Sequence, residues 1–106
     1  MEDTYALVRR AIVERLQVEA TYAGHRRRMC PHLLGTRDGQ PRALFFQFAG
    51  ASSRGLEPGG SWRCLPLTGL SDVSVHSGEW HTRAHSQPQS CIDAVDLEVG
   101  PEAGPA

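Results

Sequence analysis

The chain has 106 residues, of which 40% are hydrophobic and 22% are charged, and its formal net charge is −1. These values are typical of a single globular domain with one modest core, and they exclude nucleic-acid binding driven by overall positive charge. The sequence has no apolar run long enough to cross a membrane, and acidic residues stand near Met1, where a signal peptide would be basic. We therefore expect a soluble, cytoplasmic protein.

The positive charge is local and consists entirely of arginine, because the chain contains no lysine. Coding bias in a GC-rich genome is one explanation, and a functional demand for guanidinium groups is the other. In either case each basic side chain has a planar fork that suits phosphate or carboxylate. Most arginines lie in the first two-thirds of the chain and many acidic residues lie near its end, so the sequence supports a local basic surface.

The N-terminal segment predicts one amphipathic helix over residues 5–17. Tyr5, Val8, Ile12 and Leu16 recur at helical spacing, and an Asp-Thr pair precedes them as a helix cap. The apolar stripe must pack on another element, and nothing in this segment suggests catalysis or recognition.

The remainder of the chain predicts short antiparallel strands. Asp38-Gly39 is a strong hairpin signal, and Pro31 limits its own strand to an edge or a bend. Short strands in small number avoid exposed edges by curling, so we expect a mainly β protein: a small barrel of about five strands with an N-terminal helix at one open end. Alternating residues predict strands at 18–23, 26–34, 43–49, 62–67 and 72–77, and they allow a last strand over 92–99.

Three weaker segments separate or follow these elements. A Gly- and Ser-rich loop spans residues 50–61, and a loop of this length is either functional or mobile. One tight helical turn fits residues 66–70, and residues 80–85 can lie over the barrel. We divide the chain into a domain over residues 1–80, a C-terminal extension over residues 81–99 and a disordered tail over residues 100–106.

Several short motifs follow the N-terminal helix in a fixed order. They are Tyr22-x-Gly24, Arg26 and Arg28 followed by Pro31-His32, Asp38-Gly39, Leu44-Phe45-Phe46-Gln47-Phe48, Trp62-Arg63 and Leu67-x-x-Leu70. This order resembles the WYL domain in a short, stand-alone form, and the resemblance covers about residues 7–80. Two positions depart from the family: only aromatic counterparts of its Trp-Tyr-Leu signature occur around residues 44–46, and Thr68-Gly69 stand where a basic residue is usual.

The resemblance implies an SH3-like or Sm-like β-barrel and a ligand-sensing role. Such domains act mostly in bacterial transcription regulators and defence-linked proteins, and they bind nucleotides or single-stranded nucleic acid through basic and aromatic side chains. The family's site would fall on Arg26, Arg28, His32, Arg63, Tyr22 and Gln47.

The run Arg26-Arg27-Arg28 can be read in two ways. Residues two and six positions apart on a strand share a face, so we expect Arg26, Arg28 and His32 to point the same way and Arg27 to be a solvated charge on the other side. With Arg63 from another strand they would form an anion site. The alternative is a solvated edge that discourages strand addition.

Other chemistry has weaker support in the sequence. The three cysteines are odd in number and widely spaced, which argues against a disulfide framework or a zinc knuckle. His81 and His85 have chelating spacing but no second motif, and Ser52-Ser53 have no nucleophile-elbow context. We predict no enzyme, no metal and no cofactor. The alternative function is a protein–protein interaction or assembly module, which could include a regulatory protein partner.

Overall fold

The computed structural model describes residues 3–50, 60–82 and 92–99. It contains one N-terminal helix, six strands and one short 3₁₀ turn, in close agreement with the predicted order. The bounds are α1 Thr4–Glu14, β1 Gln17–Tyr22, β2 His25–Arg37, β3 Gln40–Gly50, β4 Ser61–Pro66, the 3₁₀ turn Leu67–Gly69, β5 Ser71–His76 and β6 Ala94–Glu98.

Helix α1 is shorter than its apolar pattern predicts. The Asp3 carboxylate accepts a hydrogen bond from the Ala6 N–H at 2.8 Å, so the predicted cap is confirmed. The helix ends at Glu14 because Arg15 adopts a left-handed conformation with φ 54°. The chain then enters β1 directly.

Two tight turns fix the registers of the first three strands. Ala23 and Gly24 have φ values of 52° and 78°, and Asp38 and Gly39 have 52° and 80°. Positive φ at both central residues is typical of a two-residue hairpin turn whose twist matches that of the strands. Tyr22 therefore pairs with His25 across the first turn.

The strands form one antiparallel sheet in the order β4-β3-β2-β1-β5, and β6 pairs with the second half of β2. Along this path β4 and β5 are the end strands, and the sheet does not close on itself within the described residues. The mainly β fold with an N-terminal helix is confirmed, whereas closure into a barrel is not. The allowed last strand forms as β6.

We call the side of the sheet that packs on α1 the core face. Its apolar residues surround Val8, Ala11 and Ile12 of the helix, all of them buried. Burial of these side chains is the main source of stability in a chain of this size. The sheet and turn residues of this core are Val18, Ala20, Met29, Leu34, Ala43, Phe45, Leu65, Leu67 and Leu70.

We call the opposite side the outer face, and residues 77–82 cross it as an irregular segment that we call the strap. Gln17 Nε2 donates to the Glu79 carbonyl at 2.8 Å, and the His81 N–H donates to Cys30 Sγ at 3.3 Å. The His81 ring stacks on Phe48 with centroids 4.0 Å apart. The first residues of the segment expected to cover the sheet therefore do so, while residues 83–85 lie outside the described residues.

The structure contains a disulfide bond that the cysteine spacing did not predict. Cys64 is disulfide-bonded, and Cys30 is a free, buried thiol. The partner of Cys64 lies outside the described residues, as does Cys91. An odd count leaves room for one bond, and sequence spacing does not report which sulfur atoms approach each other.

Several predictions concern other parts of the chain. Most of the loop predicted over residues 50–61, the segment 83–91 and the tail 100–106 lie outside the described residues.

In the described ranges, α1 has 11 residues, and none of the helical segments there has the length and apolar character needed to span a membrane.

Candidate anion-binding site

The sheet divides the six residues predicted to bind a ligand between its two faces. Arg26, Arg28 and His32 share a face, as alternation predicted, and that face is the outer one. The other three residues, Tyr22, Gln47 and Arg63, belong to the core face, as their strand partners show. The structure therefore does not gather the six into one site.

Arg26 is held in a network of protein groups on the outer face. Its Nε donates to Glu19 at 2.9 Å, and its Nη1 donates to Thr21 Oγ1 at 3.2 Å and to the Asp72 carbonyl at 2.7 Å. The Arg26 hydrogen bond is the main cause that lowers the pKa of Glu19 below its ordinary value. This geometry gives Arg26 a structural role, joining β2 to β1 and to the start of β5.

Arg28 and His32 occupy different surroundings from Arg26. The Arg28 guanidinium is exposed and lies over the Phe48 ring, 5.4 Å from its centroid. His32 is 8% exposed, and its Nδ1 lies 2.8 Å from the Cys30 carbonyl oxygen. Its ring packs beneath the strap in an aromatic cluster, with centroid distances of 4.8 Å to Trp62 and 4.9 Å to Trp80.

The prediction that Arg27 is a solvated charge was wrong. Its side chain is on the core face and is only 4% exposed. The signal was present in the sequence: Ala20 was assigned to an alternating strand, and a two-residue turn at Ala23-Gly24 pairs Ala20 with Arg27. Directly paired residues of antiparallel strands point to the same face, so Arg27 had to follow Ala20 inward.

Arg27 is held by uncharged groups. Its Nε and Nη2 both donate to the Tyr22 carbonyl at 3.3 Å, and its Nη1 donates to Gln47 Oε1 at 3.3 Å. The guanidinium also lies 5.2 Å from the centroid of the Tyr22 ring. Gln47 is fully buried and its Nε2 donates to the Ala49 carbonyl at 3.2 Å, which turns Oε1 toward Arg27.

Arg63 brings a second positive charge to the same region. It lies on β4 opposite Phe45, two residues from Ser61, which is the strand partner of Gln47. Burial lowers the pKa of Arg27, and the nearby charge of Arg63 lowers it further. Arg63 is partly exposed, so the cluster extends from the buried Arg27 toward the surface.

The positive charge of Arg27 has no acidic counterpart in the described residues. Arg9 pairs with Asp96 and Arg26 pairs with Glu19, whereas no carboxylate of residues 3–50, 60–82 and 92–99 pairs with Arg27. A buried cation with only neutral acceptors has a desolvation cost that those acceptors offset only in part, and an adjacent cation adds to this cost. We call Tyr22, Arg27, Gln47 and Arg63 the arginine cluster.

One arrangement on the outer face has the residue types of a hydrolase but not the geometry. Ser74 Oγ is 2.9 Å from His76 Nε2, and Glu19 Oε1 is 3.7 Å from the same nitrogen. In a Ser-His-acid triad the hydroxyl and the carboxylate contact opposite nitrogens of the imidazole. Here the hydroxyl and the carboxylate both approach Nε2, so the arrangement does not have the geometry of a triad.

Metal-ligating side chains do not assemble in the part of the chain that the structure describes. No group of three or more His, Cys, Asp or Glu residues is placed there to hold an ion. Cys30 and His32, two positions apart on β2, both belong to the packed cluster beneath the strap.

Comparisons with known proteins do not assign the chain to a family. No protein-family model matches the chain, and neither a curated protein nor a solved structure is similar enough to count as a match. The resemblance to a WYL domain therefore stays a prediction.

Proposed function

We propose that this chain is a regulatory module that binds an anionic ligand at the arginine cluster. The observation that carries the proposal is the burial of Arg27 among uncharged groups next to Arg63. A bound oxyanion would offset the desolvation of Arg27 and the repulsion between the two guanidiniums. Ligand binding would then stabilise the fold, and the stability of the module would depend on the ligand concentration.

The ligand class and the regulatory role follow the resemblance. A nucleotide or a single-stranded nucleic acid supplies the phosphate that two guanidiniums recognise, and the expected link to transcription regulation belongs to the same proposal. Closure of the sheet into an SH3-like or Sm-like barrel is also part of it. The antiparallel order of the strands and the N-terminal helix support that fold.

The test is a titration with nucleotides and short single-stranded DNA and RNA at low salt, followed by NMR of the protein amides. We expect shifts centred on the arginine cluster and weaker binding as salt rises. Arg27→Met, which keeps an apolar stem of similar length, should abolish binding. Arg28→Met is the matched control from the same run, because it removes an exposed guanidinium from the outer face. Equal binding by both variants would contradict the proposal.

A second candidate function is an assembly module, and the open sheet favours it. Strands β4 and β5 each pair on one side only in the described part of the sheet. Such edges accept a strand from another chain. Salt separates the two functions, because strand addition and apolar contacts persist at salt concentrations that release a phosphate from arginine.

A further inference from the structure

The surroundings of the aromatic residues indicate which part of an anionic ligand this protein can recognise. Proteins that recognise nucleobases in single strands usually stack them on aromatic rings. The chain has three Phe, two Trp and two Tyr residues, and all seven lie within the described residues. Their surroundings can therefore be compared one by one.

Tyr22 is the ring of the arginine cluster, and protein groups cover it. The Arg27 guanidinium lies over it, 5.2 Å from its centroid. The backbone of the 3₁₀ turn also presses against the ring: a Cβ placed on Gly69 would lie 2.6 Å from Tyr22 Cε1 and 3.0 Å from Cδ1. The guanidinium and the turn therefore occupy ring surface that a stacked base would need.

Phe45 is fully buried in the core, and Tyr5 packs partly buried against the same core while its hydroxyl donates to Asp96. The remaining four rings belong to the outer face. Three of them lie on the sheet and the fourth, Trp80, lies in the strap. Phe46 packs against Trp62 with centroids 5.1 Å apart, and Trp62 also meets His32. Phe48 contacts both His81 and Arg28, and Trp80 contacts both His32 and Arg15.

Arg27 itself has a limited number of donors to offer. A guanidinium has five N–H groups, and three of those on Arg27 donate to Tyr22 and Gln47. Of the two that remain, one belongs to Nη1 and one to Nη2. The oxygens of one oxyanion are enough to accept from both.

We propose that the arginine cluster binds a phosphate-like oxyanion alone, and that the base and the sugar of a nucleotide stay outside it. This inference rests on the proposed function and specifies its ligand. Recognition of this kind does not depend on the base, so a nucleic-acid backbone and a free polyphosphate are equivalent chemistry for the site.

The experiment compares ligands that share a phosphate and differ in the base. Methyl phosphate, AMP and adenosine are titrated separately into the full chain at low salt, with amide shifts in β2 and β4 as the measure. We expect methyl phosphate and AMP to bind alike and adenosine not to bind. Stacking contributes about 1–3 kcal/mol per base, so AMP binding roughly tenfold or more tighter than methyl phosphate would overturn the inference.

A second comparison separates the two sources of phosphate. An oligothymidylate and a polyphosphate with the same number of phosphates should bind with similar affinity and similar salt dependence. Clear preference for the oligothymidylate, or nuclear Overhauser contacts between a base and a protein ring, would overturn the inference while leaving anion binding intact. If no anion binds to the native chain, the proposed function itself fails. Arg27→Met should remove all phosphate-dependent shifts, which ties the signal to the cluster.

Discussion

The two faces of the sheet place neighbouring arginines in different surroundings. On the outer face, Arg26 is paired with Glu19 and Arg28 rests on Phe48 in contact with solvent. On the core face, Arg27 is buried against Tyr22 and Gln47 without a carboxylate in the described structure. The outer charges are therefore balanced or hydrated, while the inner charge is buried among uncharged acceptors. Position relative to the sheet, and not density of charge in the sequence, distinguishes the candidate site.

The largest effect should come from truncating the inner arginine. Arg27→Ala leaves a cavity and removes the hydrogen bond that Arg27 donates to the buried Oε1 of Gln47, so we expect a loss of about 3 kcal/mol in the free energy of unfolding. Arg26→Ala and Arg28→Ala act at exposed sites and should each cost under about 1 kcal/mol. Urea denaturation of the three variants measures the difference. Equal losses would show that the two faces hold their arginines alike.

The next effect concerns the backbone that supports the arginine cluster. Gly69→Ala places a methyl group against the Tyr22 ring, 2.6 Å from Cε1, and the ring must move. We expect a loss of about 2 kcal/mol, typical of overpacking, together with weaker phosphate binding. Denaturation and the phosphate titration check both effects. Thr68→Ala is the control, because the Thr68 side chain is exposed.

The outer face should respond to acid. Arg26 lowers the pKa of Glu19 in the folded chain, so this interaction contributes stability above the unfolded pKa and loses it as pH falls through the lowered folded pKa. Glu19→Gln should remove that dependence, and Arg26→Gln should remove most of it. The denaturation midpoint between pH 7 and pH 3 is the measurement. A midpoint whose acid dependence is the same in native and variant chains would contradict the assignment.

The smallest effect concerns the thiol beneath the strap, because labelling it tests access and not stability. Burial raises the pKa of Cys30 to about 11, so the thiol stays protonated at neutral pH. We expect Ellman's reagent to modify Cys30 slowly in the native chain at pH 8 and rapidly in urea, with the site verified by mass spectrometry. Rapid native labelling would mean that the strap opens freely and that the outer face is less closed than its contacts indicate.

Local patterns in the sequence were sufficient for most of the fold. Alternation and the two positive-φ turns specify strand positions, and the Asp3 cap marks the helix start. The helix end was less predictable, because Leu16 continues the apolar pattern in the sequence and only the left-handed conformation of Arg15 ends the helix. Closure of the sheet depends on how strand twist accumulates, which no local pattern reports.

The candidate site was only partly predictable, for a specific reason. Alternation correctly placed Arg26 and Arg28 on one face, but it does not say which face is buried. That decision depends on pairing with β1, where Ala20 carries Arg27 into the core. The charge of Arg27 did not help to place it. Arginine is mostly exposed in folded proteins, so a sequence pattern assigns a buried arginine to the surface.

The hydrogen bond from Tyr5 to Asp96 has a consequence for the order of folding. It joins residues 91 positions apart, while the hairpins of β1, β2 and β3 join near neighbours. Closing so long a loop has a large entropic cost, so we expect the hairpins to form early and β6 to dock late. Until it docks, the stretch of β2 from Leu33 to Thr36 has an open edge. Newly made chains are then most prone to associate through that edge. Docking of β6, which the hydrogen bond from Tyr5 to Asp96 stabilises, covers the edge.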